Sequence, residues 1–148
     1  VVRPDSVCRA CCTSTDVYPT LLEAAGLPLR PGQHVDGRSL VPALAGDTAW
    51  ERGPLYWHYP HYGNQGGTPA AAVRDGDWKL IRWYEDERVE LYNLAEDIGE
   101  CRDRAAEQPE RVRALRRLLD DWLRAVGARF CERNPDAAAA SAGTELGG

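Results

Sequence analysis

Asp75-Gly76 is a strong short hairpin signal, flanked by two strand-like segments, Ala71 to Arg74 and Trp78 to Tyr84. Successive side chains of a strand point to opposite faces. Trp78 and Leu80 therefore face one way while Ile81 and Trp83 face the other, and downstream Val89 and Leu91 oppose Tyr92 and Leu94. A sheet that is apolar front and back has to be covered on both sides. One cover is evident in the chain. From Pro109 onward, Val112, Leu115, Leu118, Leu119, Trp122, Leu123 and Val126 recur at the spacing of a single buried helical stripe, and Gly127 is placed to end that helix. No second cover is evident, so the pattern predicts a subdomain docked on a larger body.

The remaining segments fill in an α+β architecture: a small antiparallel sheet of three or four strands with a long C-terminal amphipathic helix. Residues 54–59, PLYWHY, read as a further strand, and Val89 to Leu94 as another after the acidic turn 85–87. Upstream, residues 13–28 form a first helix candidate. Thr13, Ser14, Thr15 and Asp16 offer capping oxygens, and Val17, Leu21, Leu22 and Ala25 share one face; Gly26 and Pro28 stop it. Ser39 caps a short helix from Leu40 to Ala45, ended by Gly46. His34, in the turn-rich connection between them, reads as solvent-exposed. Arg111, Arg113, Arg116 and Arg117 read as a solvated helix face, Asp120 as an ion-pair partner of Arg124 four residues on, and Lys79 as a solvated edge charge. The tail after about residue 131 has nothing to bury and is expected to be disordered.

Composition narrows the function classes. Eighteen basic against twenty-three acidic residues give a net charge of −5 over 148 residues, which argues against a general nucleic-acid binder. No apolar run approaches the roughly 20 residues of a membrane-spanning helix, and no leader is visible at the N-terminus. The chain has no methionine and begins Val-Val-Arg-Pro, so it is expected to be a piece of a longer protein. Its five cysteines include Cys8-x-x-Cys11-Cys12, but no second pair follows at zinc-finger spacing.

Chemistry concentrates in residues 57–67, WHYPHYGNQGG, which hold two of the three histidines. His58, His61, Asn64 and Gln65 are the candidate substrate-binding residues. Imidazole and amide groups on a glycine-loosened loop suit a polar, hydroxyl-rich or anionic ligand, and the neighbouring tyrosines can stack on a sugar. The competing reading is a surface turn pinned to the sheet by its aromatic side chains. His58-x-x-His61 lacks an obvious third ligand, so no metal site is assigned. No catalytic residue is assigned either: G-x-S-x-G, P-loop and H-E-x-x-H motifs are all missing.

Four segments in order, TSTDVYPTLLEAAGLP (13–28), DGRSLVPALAG (36–46), AAVRDGDWKLI (71–81) and VELYNLAED (89–97), resemble the C-terminal part of type I sulfatases. These are arylsulfatase A-like members of the alkaline-phosphatase-like superfamily. The resemblance implies a parent enzyme with a large α/β domain, whose end would be residues 1–46, and a C-terminal subdomain, residues 47–130, followed by the tail 131–148. It implies hydrolysis of sulfate esters by a formylglycine nucleophile assisted by Ca2+, both supplied by an N-terminal part. Neither Cys8-Arg9-Ala10-Cys11 nor Cys131-Glu132-Arg133-Asn134 matches the formylglycine motif. The isolated chain is accordingly expected to be inactive, with no cofactor of its own. Its partners would be the large sulfatase domain and, in the parent, a sulfated small molecule or glycan. Members of the family are often exported; the compartment of this chain is not indicated. The resemblance places His58, His61, Asn64 and Gln65 against the organic part of the substrate, while Asp16, Gly37, Arg74 to Gly76, Trp78 and Lys79 look structural. The alternatives are a non-catalytic glycan-binding or scaffold module, a non-functional remnant, and a related phosphohydrolase.

Overall fold

The computed structural model describes residues 2–64 and 66–132; the tail expectation for residues 133–148 lies outside the described residues. The chain divides into two compact units, Val1–Pro54 and a second beginning at Leu55.

The second unit is a four-stranded antiparallel meander in the order β1 (Leu55–Tyr59), β2 (Ala70–Asp75), β3 (Trp78–Trp83), β4 (Val89–Asn93), followed by a 17-residue helix, Pro109–Ala125. The hairpin turn sits one residue later than the sequence pattern placed it. Asp75 pairs with Trp78, so Gly76 and Asp77 are the loop, and Gly76 takes the left-handed φ of +57° that the tight turn requires. Register brings Tyr56, Val73, Leu80 and Leu91 into one row across the sheet. The helix lays Leu115, Leu119 and Leu123 onto Ala71, Val73, Leu80 and Leu91, with Val112, Leu118 and Trp122 packed around them. Trp122 stacks on Tyr56 with ring centroids 4.8 Å apart. Each leucine fully buried in this way contributes roughly 1.5–3 kcal/mol. Val126, assigned to the same stripe, is 53% exposed: it is the C-cap, where the chain already turns away from the sheet.

The opposite face carries Trp57, Tyr59, Ile81 and Trp83, as the alternation demands. Trp57 and Tyr59 are 45% and 54% exposed, and the buried indole N–H of Trp83 has no acceptor among the described residues. At the β4 edge, the Leu91 N–H donates to the Asp103 carboxylate at 2.9 Å and its carbonyl accepts from the Arg104 N–H at 2.8 Å, which closes the centre of that edge.

Several charged groups have partners that local spacing does not show. Lys79 lies on an interior strand, not at an edge, and its Nζ reaches both oxygens of Glu100 at 2.7 and 2.8 Å. Asp120 pairs with Arg82 at 3.0 Å, and Arg124 turns instead to Asp121. Arg111, exposed as expected, also lies over the Trp78 ring, 4.3 Å from its centroid.

The first unit has a different basis. A 3-10 turn, Ser14–Asp16, leads into α1 (Val17–Ala24), and α2 (Val41–Leu44) follows the turn-rich connection; the Pro109–Ala125 helix is therefore α3. The expected apolar face of α1 is not buried. Val17 and Leu21 are exposed, while Pro19 and the carboxylate of Asp16 are buried. A unit of about 54 residues has too little volume to enclose a full helix face. Asp16 organises it instead. Its carboxylate accepts from the Arg38 N–H at 2.8 Å, the Thr13 N–H at 2.9 Å and Arg52 Nε at 3.0 Å. Gly37 passes so close to this junction that a Cβ there would collide with the Thr15 carbonyl and meet the Pro19 ring at 3.1 Å. His34 is half-buried rather than solvent-exposed: Nδ1 meets the Gly37 carbonyl at 3.2 Å and Nε2 accepts from the Arg30 N–H at 3.1 Å.

All three α-helices end in the same motif. Gly26, Gly46 and Gly127 have positive φ, and the next residue's N–H bonds back five residues, Leu27 to Leu22, Asp47 to Pro42 and Ala128 to Leu123.

Leu119→Ala is expected to lower the stability of the second unit by about 2–5 kcal/mol and Val126→Ala by less than about 0.5 kcal/mol, compared by urea denaturation. Equal losses would contradict the one-sided core. In the first unit, burial pushes the Asp16 carboxyl up, but donations from Arg38, Thr13 and Arg52 outweigh it and hold the group below its ordinary 3.8. The stabilisation is thus present above pH 3.8 and lost as pH falls below it. Exchange of the Arg38 and Thr13 amides should rise over that range, and Asp16→Asn should flatten the dependence.

Candidate functional site

The loop between β1 and β2, residues 60–69, is held by its surroundings more than by its own sequence. Gly66 has φ of +95°, and Gly63 and Gly67 give little backbone restraint. Inside the loop the Gly63 N–H donates to the Gly67 carbonyl at 2.8 Å and the Gly66 N–H to the Gly63 carbonyl at 3.1 Å. The Tyr62 hydroxyl donates to Glu85 Oε1, anchoring the loop to the turn between β3 and β4.

The four sequence-assigned residues separate in space. His58 lies within β1 on the helix-covered face, in register with Ala71 and Arg82. Both ring nitrogens are engaged: Nε2 with the Arg129 carbonyl at 2.8 Å and Nδ1 with the Tyr84 hydroxyl at 2.7 Å. A carbonyl only accepts, so Nε2 carries the hydrogen and the neutral ring accepts from Tyr84 at Nδ1. His61 is exposed and sits edge-on to Tyr59, a side chain of the opposite sheet face, with centroids 5.5 Å apart. Asn64 is exposed at the loop tip. Gln65 lies outside the described residues. Tyr59 and Tyr62 are 54% and 66% exposed, so aromatic surface adjoins the polar groups of His61 and Asn64. Such a surface can stack on a sugar ring and hydrogen-bond its substituents.

Sequence reasoning missed the partners of His58, because Tyr84 and Arg129 are 26 and 71 residues away. It also left out a concavity of about 420 Å³ in the first unit, between residues 3–10 and 43–50, into which Arg3, Arg9 and Asp47 contribute. Among the described residues no three His, Cys, Asp or Glu side chains come together as a metal site, and all five cysteines are free.

Residues 1–126 match the family described as N-sulphoglucosamine sulphohydrolase, C-terminal. The chain belongs to this family. It is similar to a sulfatase of Formosa agariphila, 34% identical over 91% of this chain and 28% of the relative, and to zebrafish (Danio rerio) arylsulfatase K, 31% identical over 70% of this chain and 20% of the relative. Among solved structures, an enzyme in complex with its substrate D-glucosamine-2-N,6-O-disulfate superposes with a TM-score of 0.61 and 28% identity, covering 74% of this chain and 23% of that one. The chain thus spans about a quarter of the length of these sulfatases and corresponds to their C-terminal part. The antiparallel sheet with its long helix is the fold of a sulfatase C-terminal domain.

Within this sulfatase domain, burial pushes the Tyr84 hydroxyl up to about 12 against the opposing pull of Arg82. Its proton, and the bond to His58, persist to high pH. A raised tyrosine stabilises the fold fully below its ordinary value of 10.0, and that contribution is lost as pH rises towards about 12. Denaturation midpoints should therefore fall over this interval, and fall less in Tyr84→Phe. Identical slopes would exclude the buried hydroxyl as a source of the loss.

Proposed function

We propose that this chain is the C-terminal domain of a sulfuric ester hydrolase acting on a sulfated sugar, and that its 60–69 loop meets the organic part of the substrate. The observation that carries this reading is the exposed set of His61, Tyr62 and Asn64 on the 60–69 loop, with the exposed Tyr59 at the end of β1 beside His61, in a sulfatase C-terminal domain. The N,6-O-disulfated glucosamine bound by the similar solved enzyme supports a sulfated amino sugar as the substrate class. His61, Asn64 and Gln65 are the proposed contacts, and His58, with both nitrogens occupied, holds the strand from which the loop departs.

The bond-breaking groups belong, in this reading, to the rest of the enzyme. The described residues offer no ligand set for the calcium that the family resemblance implies, and no cysteine lies in the formylglycine motif. No chemical step is assigned to this chain. The open part of the second sheet face supports the same division: Trp57 and Tyr59 lie exposed on the face where Leu55 and Tyr92 are buried, and the Trp83 N–H lacks an acceptor among the described residues, features suited to burial against the large sulfatase domain.

Two measurements test the proposal. The purified 148-residue chain, given an aryl sulfate and Ca2+, should release no sulfate. Titration with D-glucosamine-2-N,6-O-disulfate, followed by NMR, should shift the His61 ring and Asn64 amide signals, with His61→Ala and Asn64→Ala each weakening binding about five- to tenfold, as loss of one or two hydrogen bonds would. Metal-dependent turnover by this chain, or shifts confined to other residues, would sink it.

A further inference from the structure

We propose that the segment after α3, residues 128–131, is a strap that fixes the outgoing stem of the 60–69 loop directly and its return stem through Tyr84, with His58, Tyr84 and Phe130 as positioning residues for the loop's exposed groups. The strap's role toward substrate rests on the reading of the loop given above; its mechanical role does not.

The outgoing stem of the loop meets the strap twice. His58 donates to the Arg129 carbonyl at 2.8 Å, and the Pro60 carbonyl accepts from the Cys131 thiol at 2.8 Å. The return stem is fixed where the Pro69 carbonyl accepts the Tyr84 N–H at 3.0 Å. Tyr84 then closes the circuit through its hydroxyl, 2.7 Å from His58 Nδ1. Phe130 occupies the corner, edge-on to both rings, with centroids 5.4 Å from His58 and 5.3 Å from Tyr84. Two loop stems and the end of the helical segment therefore converge on one aromatic and hydrogen-bonded cluster.

The helix terminus directs the chain there. Gly127 at φ +62° reverses the backbone, and the Ala128 N–H bonds back to Leu123, so residues 129–131 run over β1 instead of continuing along the helix axis. Of this segment only Ala128 packs against the leucine core. Arg129 and Cys131 bond to the outgoing stem, and Phe130 lies against His58 and Tyr84. The strap also lies past the family match, which ends at residue 126. A loop with three glycines loses much freedom when it orders; a clamp that orders it beforehand lowers the cost of engaging a ligand.

The test uses the full 148-residue chain and reads amide exchange at Gly63 and Gly66, whose N–H groups are bonded inside the loop. Phe130→Ala is expected to speed their exchange at least tenfold while the Leu119 amide in α3 is unchanged, and Phe130→Tyr to restore protection. Should Phe130→Ala also loosen α3, Tyr84→Phe, which removes only the oxygen that meets His58, gives the same reading on an intact core. Unchanged exchange at Gly63 and Gly66 in both variants overturns the strap. Affinity for D-glucosamine-2-N,6-O-disulfate separates the two ideas: a fivefold or larger loss in Phe130→Ala, rescued by Phe130→Tyr, supports positioning for a ligand. Faster exchange with unchanged affinity upholds the clamp and overturns the loop's role toward the sugar.

Discussion

Leu115, Leu119 and Leu123 of α3, seated on Val73, Leu80 and Leu91, decide the orientation of everything else in the second unit. Once these side chains are buried, the two-residue period of a strand leaves no freedom at β1: Tyr56 and His58 must face the helix, and Trp57 and Tyr59 must face away. That single constraint separates the polar residues of the 57–67 stretch into two classes. His58 is drawn into the covered side and has its hydrogen bonds satisfied internally, while the loop beyond Pro60 keeps its imidazole and amide in the open. The same burial makes Tyr84 a persistent proton donor, since the shielded hydroxyl resists ionisation.

The first unit reaches order by a different route. It has hardly any apolar interior, with Ala43 and Pro19 among its few buried side chains, and its fixed point is an ionised carboxylate taken fully out of water. Such a charge is tolerable only because Arg52 and two backbone amides surround it. One of those amides belongs to Arg38, next to Gly37, whose missing side chain lets the connection approach the Thr15 carbonyl. Acidic residue, glycine and arginine are thus one device spread over 36 residues of sequence, the separation of Asp16 from Arg52.

What could be read from the sequence was what short-range physics determines. Gly26, Gly46 and Gly127 marked the helix ends because a reversal into positive φ favours glycine so strongly, and the leucine stripe marked α3 because its period is local. The family resemblance drew on the same segments and was correct. Long-range electrostatics were not legible. The pairing of Lys79 with Glu100, of Arg82 with Asp120 and of Asp16 with Arg52 follows from how elements meet, and the nearest acid in sequence, as with Asp120 and Arg124, was the wrong partner. Helical periodicity also overstated burial at Val17, Leu21 and Val126, because a pattern shows which side a residue takes and not whether anything lies against it.

His58 shows why residue type alone is a poor guide to a binding site. Histidine in an aromatic, glycine-rich stretch fits a ligand contact, but a ring nitrogen can serve a ligand only if no protein group has already taken it. Here the Arg129 carbonyl and Tyr84 hydroxyl occupy both, and Phe130 closes the ring edge. Displacing Tyr84 to admit a ligand would leave its shielded hydroxyl unsatisfied, a loss of the same order as the hydrogen bond a ligand would offer. The exchange gains nothing, so in the proposed reading His58 is the fixed point of the loop and recognition falls to groups whose hydrogen-bonding capacity is still open to solvent, His61 and Asn64 among the described residues.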